Sequence, residues 1–182
     1  MKVNASPNYR SRLVGCEFAH DKRDDFFAAT PPLESLRAIL AICAARQNGK
    51  HPHRIMALDV ARAYFYAPAS RPVFIQIPAE DRLDSDAGKV AQLNLSLYGT
   101  RDAAKNWTGT YTTFLNEICF KTGEGCACNF TRCTRQISFT VHWDDFTASA
   151  SDVDLTWLEA SFERSSSARC RSLALGAANC AR

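Results

Sequence analysis

The chain has 182 residues, 46% of them apolar, and a formal net charge of +3. That length suits one domain with a core, and so mild a positive balance neither requires nor forbids a nucleic-acid partner. The N-terminal stretch MKVNASPNYRSR lacks the apolar centre of a secretory signal, and no run of about 18 apolar residues exists. The expectation is therefore an intracellular protein, cytoplasmic or nuclear, not secreted and not in a membrane, whose eight cysteines are thiols. In that setting the glycosylation sequon Asn129-Phe130-Thr131 has no consequence.

Tyr9 to Cys16 reads as a short strand carrying Arg10 and Arg12, and residues 20–29 as charged and irregular. A helix is predicted from about Thr30, with Pro31 in its first turn, Leu33, Leu36, Leu40 and Cys43 at helical spacing, and Asn48-Gly49 as its stop. RIMALDV (54–60) is apolar on both faces, as a central strand is, and ends in Asp59. PVFIQIP (72–78) is a strand bounded by prolines, and KVAQLNL (89–95) a weaker one. Asp102 to Cys119 is an amphipathic helix with Trp107, Tyr111, Phe114, Leu115 and Ile118 inward. After a turn-rich, cysteine-bearing segment, Ile137, Phe139 and Val141 alternate with Ser138, Thr140 and His142, until the pair Asp144-Asp145 breaks the alternation at a turn. Asp152 to Phe162 is a third helix with Asp152 as N-cap and Leu155, Leu158 and Phe162 on one side. This order predicts an α+β fold with helices packed on one face of an antiparallel sheet.

Adjacent aspartates repel, and each raises the other's pKa. If the strand ending in Asp59 neighbours the turn at Asp144-Asp145, three carboxylates meet at one sheet edge. A cation relieves such a cluster. Oxygen ligands favour Mg²⁺ or Mn²⁺, and two such ions a few ångströms apart serve phosphoryl transfer. Taken alone, an Asp-Asp pair is more often a solvated turn.

Three stretches change that weighting. LDVARAYFYAP (58–68), LSLYGTRDAAKNW (95–107) and VHWDDF (141–146) resemble, in order, the three catalytic motifs of reverse transcriptases of copia-type retrotransposons. YRSRLV and FFAATPPLESLRAILAICA are similar to the region upstream of the first motif, so the resemblance runs from about residue 9 to about 163. It implies RNA-directed DNA synthesis, in which a primer 3′-hydroxyl attacks the α-phosphate of a dNTP on an RNA or DNA template. The implied fold is a palm, a ferredoxin-like antiparallel sheet with helices on one face, with partial fingers and no thumb. In that layout residues 1–52 are fingers-like, 53–164 are palm with a fingers portion inserted at about 70–97, and 165–182 are an off-pattern basic tail. The tail is expected to be either disordered or the product of a change of reading frame.

The resemblance further implies catalytic Asp59, Asp144 and Asp145, with two Mg²⁺ ions, or Mn²⁺, held at Asp59, Val60, Asp144 and Asp145. Tyr64 would be a steric gate against a ribose 2′-hydroxyl, against the plainer reading of a packed aromatic. Tyr98 and Gly99 would position nucleotide and template, although Gly99 also suits a turn that needs positive φ. Arg12 and Arg101, like Arg10, would meet phosphates, since guanidinium binds them bidentately, or else lie solvated. His142 and Trp143 would contact the primer. His142 stands where relatives usually carry Tyr, and Trp143 where they carry a smaller residue, so the indole is expected either to obstruct the primer end or to fold back beside Val141. Two alternatives follow. One is a non-catalytic nucleic-acid-binding remnant. The other is a zinc module built on Cys126, Cys128, Cys133 and His142, whose spacing departs from paired Cys-X₂-Cys knuckles.

Overall fold

The computed structural model describes residues 12–18, 20–21, 26–165 and 170–175; Tyr9 and Arg10 lie outside them. Among the described residues there are three α-helices, α1 (Leu33–Ala45), α2 (Ala103–Glu117) and α3 (Asp152–Ser165). The strands are β1 (His53–Val60), β2 (Phe74–Gln76), β3 (Val90–Gln92), β4 (Lys121–Thr122), β5 (Asn129–Arg132), β6 (Ile137–His142), β7 (Asp145–Ser151) and β8 (Cys170–Leu175). Six of them form one sheet in the order β4-β5-β6-β7-β1-β8, with every neighbouring pair antiparallel. Setting aside β4 and β5, which add to its edge between α2 and β6, the sheet runs β1, α2, the β6–β7 hairpin, α3 and β8, that is strand–helix–strand–strand–helix–strand. That is the connectivity of a ferredoxin-like unit. β2 and β3 pair separately, so the 70–97 stretch holds a small sheet of its own.

Side chains alternate across a strand. On one face, Met56, Leu58 and Val60 of β1 meet Phe139 and Val141 of β6 and Phe146, Ala148 and Ala150 of β7. Helix α2 covers them with Trp107, Tyr111 and Leu115, and α3 with Leu155, Leu158 and Phe162. Edge-to-face rings (Tyr111 on Phe146, Phe146 on Phe162) lock this layer. Burying each large side chain contributes about 1.5–3 kcal/mol, and this core includes Val60, next to Asp59 at the end of β1.

Several expectations are corrected. Only α2 and α3 share a face. Helix α1 crosses the other side of the sheet, where the Cys43 thiol donates to the His53 carbonyl (3.4 Å) and Cys128 to that of Ala29 (3.3 Å). The polar-looking face of β6 and β7 is therefore not solvated: Thr140, Ser149 and His53 are all buried. It takes a narrow, small-residue helix face, so α1 buries Ser35, Ile39 and Cys43 while Leu33, Leu36 and Leu40 stand exposed. The N-cap of α3 is Ser151, whose Oγ accepts from the Asp154 amide (3.3 Å) and donates to its carboxylate (2.7 Å). Leu13–Cys16 make no strand; this segment instead runs along the turn at Tyr98-Gly99, the Gly15 amide donating to the Tyr98 carbonyl (2.6 Å). Finally, the basic tail contains β8, paired with β1 from Val60↔Cys170 to Ile55↔Leu175. The segment has no proline, and β1 offers it an otherwise unpaired edge.

Candidate active site

The β6–β7 hairpin turns through Trp143 and Asp144, with His142 opposite Asp145. Trp143 has φ 59°, a left-handed conformation that a bulky residue ordinarily avoids. Strand β1 runs alongside in a register that sets Asp59 opposite Asp145, and the Val60 amide donates to the Asp144 carbonyl (3.1 Å). Residues far apart in sequence thus meet at one end of the sheet. Asp59 and Asp145 lie on the side that α1 covers. There they border a hollow of about 620 Å³ lined also by Pro31, Pro32, Leu33, Leu36, Thr140 and His142.

The carboxylates feel one another. Partial burial, then Asp144, then Asp59 push the Asp145 carboxyl above its usual range, with His142 opposing. Burial and the Asp144 charge likewise raise the Tyr64 phenol. The Tyr98 phenol is raised by burial and Asp144 and, more weakly, by Asp59; Arg12 and a main-chain hydrogen bond with Tyr64 act against them. All three aspartates therefore belong to one electrostatic site, and the two tyrosines border it as neutral phenols. Among the described residues no group of three His, Cys, Asp or Glu side chains is drawn together as a formed metal cage. The three carboxylates offer only oxygen donors, and the repulsion that raises Asp145 is of the kind a hard divalent cation would relieve.

Tyr64 sits in a short 3₁₀ turn, Ala63–Tyr66, entered through Arg62 in a left-handed conformation (φ 62°). Its ring lies 4.4 Å from that of Tyr98, and the Arg12 guanidinium covers Tyr98 at 4.8 Å. Gly99 has φ 88°, and a Cβ there would run into the carbonyl of Gly15, so both its conformation and its clearance demand glycine. Tyr64, Tyr98, Gly99 and Arg12 thus gather beside the aspartates. His142 and Trp143 stack on each other (4.8 Å, 18°) at the hairpin tip. The indole is 53% exposed, so it does not fold back beside Val141.

Arg101 is drawn elsewhere. Its guanidinium pairs with Asp21 (2.6 Å) and lies over Phe26 (5.2 Å), partners that a phosphate would have to displace. The candidate zinc ligands do not converge either: Cys128 is buried with its thiol on Ala29, while His142 belongs to the hairpin tip. Two features went unread in the sequence. Asp102, 2% exposed, meets Arg71 (3.2 Å), which also binds Glu17 (2.6 Å); this knot ties the N-terminal segment at Glu17 and the segment before β2 to the start of α2. The Trp107 indole N–H donates to the Trp143 carbonyl (2.8 Å), where periodicity showed only a core aromatic. Charged residues flanking an apolar helix start were the available signal for the first; nothing in the sequence marks the second.

Comparison with known proteins bears on this arrangement. The family described as reverse transcriptase (RNA-dependent DNA polymerase) matches residues 2–163. The chain is 26% identical over 110 residues to the retrovirus-related Pol polyprotein from transposon TNT 1-94 of Nicotiana tabacum; the aligned stretch is 59% of this chain and 8% of that polyprotein. No solved structure matches. Among the described residues no helix is long and apolar enough to cross a membrane.

Proposed function

The chain belongs to the reverse transcriptase family of copia-type retrotransposons, and from that premise we propose that it is the palm of such a polymerase, with the β2–β3 sheet as its fingers portion, and that it extends a primer at Asp59, Asp144 and Asp145. The observation that carries this reading is the register of Asp59 against Asp145, with Asp144 in the adjoining turn. In the reaction the primer 3′-hydroxyl loses its proton to solvent as its oxygen bonds to the α-phosphorus of a dNTP, the bond from that phosphorus to the bridging β-phosphate oxygen breaks, and pyrophosphate leaves.

The three carboxylates and the main-chain carbonyl of Val60 would hold two Mg²⁺ ions, or Mn²⁺. Such a pair, once bound, activates the attacking hydroxyl and stabilises the leaving oxygen. The chain's own residues do the rest. The neutral phenol of Tyr64 stands where a ribose 2′-hydroxyl would fall and favours deoxynucleotides. Tyr98 and Gly99 present a flat turn to nucleotide and template. Arg12 brings positive charge beside Tyr98 for phosphate, and the exposed rings of His142 and Trp143 meet the primer terminus. Template RNA or DNA approaches the end of the sheet where Asp59 and Asp145 border the hollow beside α1.

One observation favours the alternative of a binding remnant without turnover: the exposed indole of Trp143 next to the doublet. Primer extension with Mg²⁺ or Mn²⁺ separates the two. Extension by the wild type that disappears in Asp144→Asn supports the polymerase. Nucleic-acid binding without extension supports the remnant, and extension that survives the substitution refutes the assigned site.

A further inference from the structure

The turn that carries the aspartate doublet is strained, and something must hold it. A left-handed conformation at a non-glycine residue costs about 1–3 kcal/mol and persists only where the surroundings over-determine it. Two-residue hairpin turns of this kind ordinarily place glycine or asparagine at such a position, yet here it is Trp143 at φ 59°. The indole of Trp143 is too exposed to supply the restraint. The restraint lies in the two carbonyls of the turn. That of Asp144 accepts from the Val60 amide at 3.1 Å, which fastens the doublet to the strand of Asp59. That of Trp143 accepts from the Trp107 indole N–H at 2.8 Å.

Trp107 itself cannot move freely. It is 5% exposed, with its ring edge-on to Tyr111 (5.5 Å), on the core-facing side of α2. A buried indole N–H needs an acceptor, and the Trp143 carbonyl is the one it has. From the side chain of Trp107, we infer that α2 sets the position of the Asp144-Asp145 doublet. Trp107 is therefore a positioning residue for the cation-holding carboxylates, and it acts on them through the backbone of the turn. This inference rests on the reading of Asp59, Asp144 and Asp145 as a cation site. Because α2 begins just beyond the Tyr98-Gly99 turn, the same helix anchors both the proposed nucleotide-facing turn and the doublet.

The test uses Mn²⁺ alone as probe, with binding followed by electron paramagnetic resonance on the whole chain. Trp107→Phe keeps an aromatic ring and removes the donor. It is expected to weaken Mn²⁺ binding by about tenfold or more, the usual consequence of losing a group that orients ligands. Tyr111→Phe, a comparable change one helical turn away, should leave binding unaltered. In a Trp143→Gly background, where the left-handed conformation carries no steric cost, Trp107→Phe should matter less. A Tyr111→Phe chain that weakens binding as much as Trp107→Phe would show general loosening of the core and overturn the inference. Unchanged binding in Trp107→Phe overturns it alone; absence of Mn²⁺ binding in the wild type overturns the cation site as well. Should Trp107→Phe fail to fold, NMR of the wild type decides. A Trp107 indole proton that exchanges slowly and shifts on Mg²⁺ addition supports the role, and one that exchanges fast and ignores Mg²⁺ refutes it.

Discussion

Asp145 carries a charge that the folded chain resists. Its carboxyl is raised by burial and by its two acidic neighbours, so the folded state keeps a proton that the unfolded state has released. The group's contribution is fully present below the unfolded value, about 3.9, and is lost as pH rises through the folded one. At neutral pH, then, the cluster costs stability, and Asp145→Asn should raise the melting temperature at pH 7, with the gain shrinking toward pH 4. The rise is a few degrees at most, because exposed charges are screened. Added Mg²⁺ should stabilise the wild type and not the variant; a variant that melts lower at pH 7 would contradict the repulsion.

His53 works with the opposite sign. Its Nε2 faces Arg46 Nη1 (3.4 Å), which can only donate, so Nδ1 bears the proton and donates to Ser149 Oγ (3.1 Å). Burial, then Arg46, lower its pKa, with Asp154 opposing. On acidification the unfolded chain takes up this proton first, so stability should fall as pH drops from about 7 toward 5. His53→Gln should flatten that slope in thermal melts; an unchanged slope would assign it to other groups.

At the scale of elements, the hairpin, α2 and α3 were legible because each has one strongly apolar face and a period that matches its geometry. The leucines of α1 misled for a physical reason. A helix laid on a sheet face of Thr, Ser and His is chosen by small side chains that let it approach and bond, and its bulkiest residues are left outside. The Tyr98-Gly99 turn was legible through its glycine, but its partner was not, since nothing near Gly99 in sequence announces Gly15. Their close approach makes a strong prediction. Gly99→Ala places a Cβ against the Gly15 carbonyl at φ 88°, so it should cost about 1–3 kcal/mol in denaturant unfolding and loosen Tyr98 against Tyr64. An alanine variant of wild-type stability would mean that the N-terminal segment does not sit there.

For the molecule as a whole, sequence could place Asp59 at a strand end and the doublet at a turn, but not the pairing between them. Strand order depends on which distant edges meet, and local patterning does not encode that. Here the motif resemblance supplied what periodicity could not. The return of β8 to the free edge of β1 was missed because main-chain pairing asks little of side chains. What unites these parts is the register that sets Asp59 opposite Asp145, from which we propose that Asp59 and the doublet share cations. A crystal of the whole chain soaked in Mn²⁺ tests this directly. The account predicts anomalous density at about 2.1 Å from carboxylate oxygens of both Asp59 and the doublet. Density bound to the doublet without Asp59, or confined to other parts of the surface, would contradict it.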